Sequence, residues 1–173
     1  MTRRPALAIL AATMALHAAL APAPASAAPA PDAATAFDRL KSLVGTWRNA
    51  ANPASPLRVQ FSLTAGGTVL VEEWRRGTDP HSLTLYHRDG KALLATHYCP
   101  QGNQPRLALT GHKTGADATL RFAFHDATDL DGRSESYQHD LAFDLTDPAR
   151  PIRSETYRST KGAEESKLVL VRE

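Results

Sequence analysis

The run Thr96-His97-Tyr98-Cys99-Pro100-Gln101-Gly102-Asn103-Gln104-Pro105-Arg106 concentrates more chemistry than any other stretch of the chain, and it holds the only cysteine. His97 and Cys99 sit two residues apart. On a strand they share one face, about 6.6 Å apart along it. Two ligands so placed can converge on one metal ion, with further ligands from other strands such as His87 or His139. No spacing in the sequence completes that set. A catalytic thiol–imidazole pair fits less well, because a base must come within about hydrogen-bond distance of its nucleophile and parallel side chains do not. Otherwise Cys99 is a small buried hydrophobe, and His97 is a polar wall residue that is structural or touches a ligand.

The loop beyond Cys99 is stiffened by Pro100 and Pro105 and turned at Gly102. Asn103, Gln104 and Arg106 either satisfy the loop's own backbone or present donors to an oxygen-rich ligand at a mouth. His139 stands within the alternation Tyr137, His139, Leu141, Phe143 and Leu145, so it is expected on an inner face. There it is a satisfied structural histidine or a ligand contact. With Tyr86 these form the candidate ligand-binding set: Tyr86, His97, Cys99, Asn103, Gln104, Arg106 and His139. Glu72 and Glu73 are neighbours on a strand and face opposite ways, so they cannot work as an acid–base pair. Together with Asp129 and Asp131 they read as solvated residues.

The ends set the compartment. Arg3 and Arg4 head an apolar run, Ala6 to Leu20, and Ala25-Ser26-Ala27 supplies a small-x-small cleavage site, so residues 1–27 read as a secretory signal. The run is too interrupted for a membrane-spanning helix, which needs about 20 apolar residues. The expected location is periplasmic or secreted. Of the 20 Lys and Arg, only Arg3 and Arg4 fall in that leader, and none of the 18 Asp and Glu does, so the remainder carries 18 of each sign. A balanced surface gives no electrostatic case for nucleic acid or an anionic membrane. Residues 28–34, rich in Ala and Pro, read as a disordered lead-in, and 35–173 as one domain. A single cysteine excludes an internal disulfide.

Those residues need elements to hold them. Phe37, Leu40 and Val44 recur at helical spacing and Gly45 ends the helix, so a short helix is expected from Asp32 to Val44. Thr46-Trp47 then opens a first strand, with Trp47 placed to cover one end of the strand array. Leu57, Val59, Phe61 and Leu63 alternate with polar residues, and Ala65-Gly66-Gly67 turns the chain back into Thr68 to Arg76. Ser82 to Arg88 and Lys91 to Cys99 flank Asp89-Gly90. Arg106 to Lys113 pairs with Ala118 to His125, and Tyr137 to Leu145 comes after a polar loop through Gly132. Ile152 to Ser159 and Glu165 to Arg172 close the chain around Lys161-Gly162. About ten short strands joined locally, with no helix long enough for a parallel crossover, point to an all-β, antiparallel up-and-down barrel behind a short N-terminal helix.

Leu43-Val44-Gly45-Thr46-Trp47 resembles the opening Gly-x-Trp signature of lipocalin-like (calycin-type) barrels. With Gly66-Gly67, Tyr86-His87, Thr96-His97-Tyr98-Cys99 and Asn103-Gln104-Pro105-Arg106, residues 35–172 are similar to a family of small bacterial proteins of uncharacterised function. The resemblance implies a barrel with a central cavity and no established reaction; apolar strand faces around such a cavity, with the candidate set to orient a guest, point first to binding of a small, partly apolar molecule. The resemblance also implies haem as one candidate cofactor, through the nitrobindin-like calycin barrels. Their opening motif continues with glycines after the Trp, where this chain has Arg48-Asn49-Ala50. Two other functions are open to the same pocket: an enzyme with His97 or His139 as general base, and a haem- or metal-binding barrel.

Overall fold

A computed structural model describes residues 32–113, 115, 118–131 and 136–173. The expected signal sequence, most of the lead-in and Gly132 lie outside the described residues. Among those described, no helix is long and apolar enough to cross a membrane.

The chain begins with helix α1, Ala33–Leu40, and a 3-10 turn, Lys41–Leu43. Asp32 caps the helix by accepting from the Ala34 N–H at 3.0 Å, which satisfies one of the amides a first turn leaves open. Ala36, Phe37, Leu40 and Leu43 form its buried face. Ten strands come next: β1 Gly45–Asn49, β2 Leu57–Thr64, β3 Val69–Arg76, β4 Asp79–Asp89, β5 Ala92–Tyr98, β6 Gln104–His112, β7 Thr119–Thr128, β8 Tyr137–Asp144, β9 Ile152–Ser159 and β10 Gly162–Arg172. Each pairs antiparallel with the next, and β1 pairs with β10, so the sheet closes into a barrel with no free edge.

The helix covers one end, packing on β4 and β5 beside the turns at 65–67 and 90–91. Gly45 makes the corner from helix to barrel. Its φ of +136° disfavours a side chain, and a Cβ there would lie 2.4 Å from an Arg172 guanidinium nitrogen. Trp47, fully buried, donates its indole N–H to Leu43 O at 2.6 Å. Arg172 lies over the Trp47 ring at 4.4 Å and donates to Val44 O and Ser42 O at 3.0 and 3.1 Å. The Gly-x-Trp segment therefore locks the plug to the wall, and Arg172 satisfies carbonyls the ending helix leaves open.

Apolar side chains fill the barrel behind this plug. Trp47, Phe61, Leu70, Leu93, Leu120, Phe143 and Leu170 are buried together with Phe37, Leu40 and Leu43. Phe143 meets Phe61 and Tyr86 edge to face at 6.3 and 6.0 Å, and Tyr86 meets Phe122 at 5.9 Å. Burying each such side chain is worth about 1.5–3 kcal/mol.

Candidate functional site

Towards the opposite end, called the open end because no helix covers it among the described residues, the inward positions change character. On β3 the inner series runs Leu70, Glu72, Trp74, and on β9 it runs Arg153, Glu155, Tyr157. Glu72 is wholly buried and Arg153 is 2% exposed. Glu72 accepts from the Tyr86 hydroxyl and from the Trp74 indole N–H at 2.5 Å. Arg153 Nε lies 2.7 Å from Glu72, though without hydrogen-bond alignment, and its guanidinium covers the Trp74 ring at 4.9 Å. A second guanidinium nitrogen reaches Glu155 at 2.7 Å. Glu155 also accepts from the Gln138 amide at 2.7 Å and the Ser166 hydroxyl at 3.1 Å. Because β3 and β9 are far apart around the ring, this network ties the barrel across its interior.

A second bridge runs from β4 and β5 to β9. His97 Nδ1 is 2.9 Å from the Thr84 hydroxyl and Nε2 is 3.1 Å from the Tyr157 hydroxyl. Burial, and then the nearby Arg153 charge, lower the His97 pKa to about 4, so the ring is neutral at ordinary pH. Burial works against the Arg153 charge, but Glu72 and Glu155 outweigh it and keep the guanidinium firmly protonated. Burial would likewise raise the Glu155 carboxyl, yet Arg153 outweighs that and holds it below the usual range. Burial, reinforced by Glu155, pushes the Tyr157 phenol well above its ordinary value.

Tyr157 forms part of the wall of a cavity of about 460 Å³ at the open end, with Gln101, Ser136, Ser159, Lys161, Gly162, Ala163 and Glu164. Buried side-chain atoms without a hydrogen-bond partner include Asn103 Oδ1, Gln138 Oε1 and Arg153 Nε, and neither Asn103 nor Gln138 lines this cavity. Asn103 donates its amide to Ser136 O at 3.1 Å, and Gln138 is the cross-strand partner of Tyr157. A larger concavity, about 610 Å³, lies against the outer sheet face by Thr110, Arg121, Asp140, Ala142, Thr156 and Lys167. The larger concavity is also bordered by Glu155; the cavity at the open end is taken as the candidate because its wall includes Tyr157, which is joined to the buried His97.

The expected site residues divide. Tyr86, His97 and Asn103 are in the interior, and Cys99 is half-buried at the end of β5. The Cys99 amide donates to Asn103 O at 3.2 Å, and burial raises the thiol pKa. Gln104 turns back on its own loop, donating to Gly102 O at 2.5 Å. Arg106 is directed outward to Asp126, with both side chains exposed.

His139 is also displaced from the expected inner face. A bulge between Gln138 and Asp140 breaks the alternation and leaves His139 without a cross-strand partner. The inward position passes to Gln138, which is wholly buried. The His139 ring stacks on Phe124 at 5.9 Å and contacts the partly exposed Asp140 at 2.8 Å. Glu72 requires the reverse correction, being an interior residue that the sequence suggested was solvated. Glu73, on the other face, pairs with Arg75 at 2.9 Å as expected from its position.

Sequence reasoning missed Glu72, Gln138, Arg153, Glu155 and Tyr157. A signal existed in β9, where Arg153, Glu155 and Tyr157 alternate with Ser154, Thr156 and Arg158. A strand with no apolar face must, in a closed barrel, point polar groups inward.

Among the described residues no three His, Cys, Asp or Glu side chains converge as a metal site. Neither histidine expected in the pocket is free to hold a haem. Both His97 nitrogens are engaged, His139 is turned to Asp140, and aromatic side chains occupy the helix end. No protein-family model matches the chain, and no curated protein is significantly similar to it.

Proposed function

We propose that this protein is an exported, lipocalin-like (calycin-type) barrel that binds a small molecule, with the guest seated at the open end rather than through the whole lumen. The observation that carries this reading is the cavity of about 460 Å³ walled by Tyr157, whose hydroxyl is joined to the buried His97. That volume lies within the usual range for small-molecule pockets. Tyr157 is rigidly held and can offer its ring to the apolar part of a guest. Gln101, Ser136, Ser159, Lys161 and Glu164 supply polar contacts around the rim. The helix end, filled by its own side chains, serves as the foundation. Export rests on the N-terminal leader pattern, and kinship with calycins on the motif resemblance together with the barrel form.

Native mass spectrometry of protein purified from its natural source tests this directly. A retained small molecule is expected in the wild type and not in Ser159→Trp, which fills the mouth without touching the buried network. A bare wild-type protein, or a guest retained equally by Ser159→Trp, overturns the reading.

A further inference from the structure

Thr84 and His97 are cross-strand partners on β4 and β5, 0% and 2% exposed. Among the described residues the Thr84 hydroxyl meets one partner, His97 Nδ1 at 2.9 Å. A buried hydroxyl with one partner must place its single hydrogen there. Nδ1 is therefore the acceptor, and the neutral ring carries its proton on Nε2. That N–H donates to the Tyr157 oxygen at 3.1 Å. The Tyr157 hydrogen is thereby left for the Cys99 sulfur, which also accepts from the Gln101 backbone N–H. Thr84, His97, Tyr157 and Cys99 thus form one directed chain, and the two donors at the sulfur, Tyr157 and Gln101, both wall the open-end cavity.

A second proton on the His97 ring has one place to go, Nδ1. It points an N–H at the Thr84 oxygen and deprives the Thr84 hydrogen of its acceptor. The new charge also meets no idle carboxylate in the interior. The charged groups near the ring are Arg153 and Glu155 on β9 and His81 on β4. Glu155 is already engaged by Arg153, Gln138 and Ser166. Glu72, beside Thr84 on β3, is engaged by Arg153, Trp74 and Tyr86. On β6, Arg106 is turned outward to Asp126. The carboxylate left over is Glu164, across from Tyr157 on β10, exposed at the cavity rim. Between the two lies the Tyr157 wall, where about 460 Å³ of cavity gives the rings room to move.

We propose that this chain is a proton-operated latch on the mouth: protonated His97 breaks from Thr84, moves with Tyr157 into the cavity towards Glu164, and uncovers the Cys99 thiol. The latch goes beyond the binding reading and needs no guest, so its failure leaves that reading standing.

Two measurements on the full barrel test it, run between about pH 7 and about pH 4. Nitrogen-labelled histidine NMR, which needs only the wild type, is expected to show the Nε2-protonated tautomer of His97 when neutral and the imidazolium in acid. A dipyridyl disulfide, which reacts with thiols in acid, reads the exposure of Cys99. Taking the wild-type rate relative to His97→Gln at each pH cancels the reagent's own pH dependence, and glutamine keeps the neutral ring's acceptor and donor. That ratio is expected to rise at least about tenfold on acidification, at the midpoint of the His97 signals and with the Trp47 indole resonance unmoved. Glu164→Gln, at the exposed rim, is expected to reduce the rise about twofold to fivefold.

A neutral His97 protonated on Nδ1 overturns the latch, and so does a ratio that stays flat with pH. Cys99 uncovered only as the Trp47 resonance is lost is unfolding of the whole barrel and overturns it too. A rise that Glu164→Gln leaves unchanged does the same for movement towards the rim.

Discussion

The two ends of the barrel interior solve burial in opposite ways. At the helix end Trp47, Phe61, Phe143 and the leucines are held by apolar area and ring packing, with side-chain hydrogen bonds from Trp47 and Arg172 to the backbone fixing the plug. Towards the open end Glu72, Arg153, Glu155 and Gln138 are held by partners, each carboxylate accepting from or touching three separate donor groups. An apolar core tolerates change in proportion to lost volume. A buried charge network does not, because removing one member strands the others. The contrast teaches where function can reside: the apolar end supplies stability, and the polar end borders a cavity that can take something else.

The largest expected break in the comparison is Arg153→Met. It should cost about 3–5 kcal/mol in urea unfolding, since Glu72 and Glu155 lose the guanidinium they share. Adding Glu72→Leu and Glu155→Leu should recover part of that loss, whereas at the helix end Phe143→Leu alone should cost only about 1–1.5 kcal/mol. A loss under about 1 kcal/mol for Arg153→Met would place the network among solvated charges.

The next effect is in pH. His97 has a folded pKa of about 4 against an ordinary value of 6.5. As pH falls through that window the unfolded chain takes up a proton that the folded chain refuses, so stability declines by about 3 kcal/mol and this contribution then levels off. Glu155, whose pKa is lowered, contributes stability above the unfolded carboxyl value and loses it only as pH falls through its still lower folded value. Chemical denaturation at about pH 7 and about pH 4 should show the His97 decline in the wild type, and a clearly smaller decline in His97→Gln.

Trp47→Phe sharpens the helix end. Losing the indole donor to Leu43 O should cost about 1–2 kcal/mol and loosen α1, read as faster amide exchange at Leu40 and Leu43. The smallest effect belongs to Arg106→Gln. Its ion pair with Asp126 is exposed on the outer wall, and the thermal midpoint should barely move.

The architecture was legible because it rests on local signals. Gly45, the glycines at 66–67 and Asp89-Gly90 mark turns, and the alternation along Leu57 to Leu63 marks a strand with one dry face. Ten strands and a closing ring come from those rhythms. The site was legible only in part. His97 and Asn103 were recognised because a histidine and an amide beside a stiff loop stand out wherever they occur. Glu72 was not, because an acidic residue is usually solvated and its partners on β9 are remote in sequence. His139 falls on the other face because strict alternation cannot register an inserted residue, and a single bulge reverses the facing of the residues on one side of it.

The most direct test is chemical-shift mapping of the labelled barrel as the molecule that co-purifies from the natural source is added. Saturable shifts should cluster on Gln101, Ser136, Tyr157, Ser159 and Gln138, with Leu70, Phe143 and the Trp47 indole unmoved. Shifts concentrated on Trp47, Leu70 and Phe143 instead would put the guest inside the helix end and contradict the division of the barrel into an apolar foundation and a polar mouth.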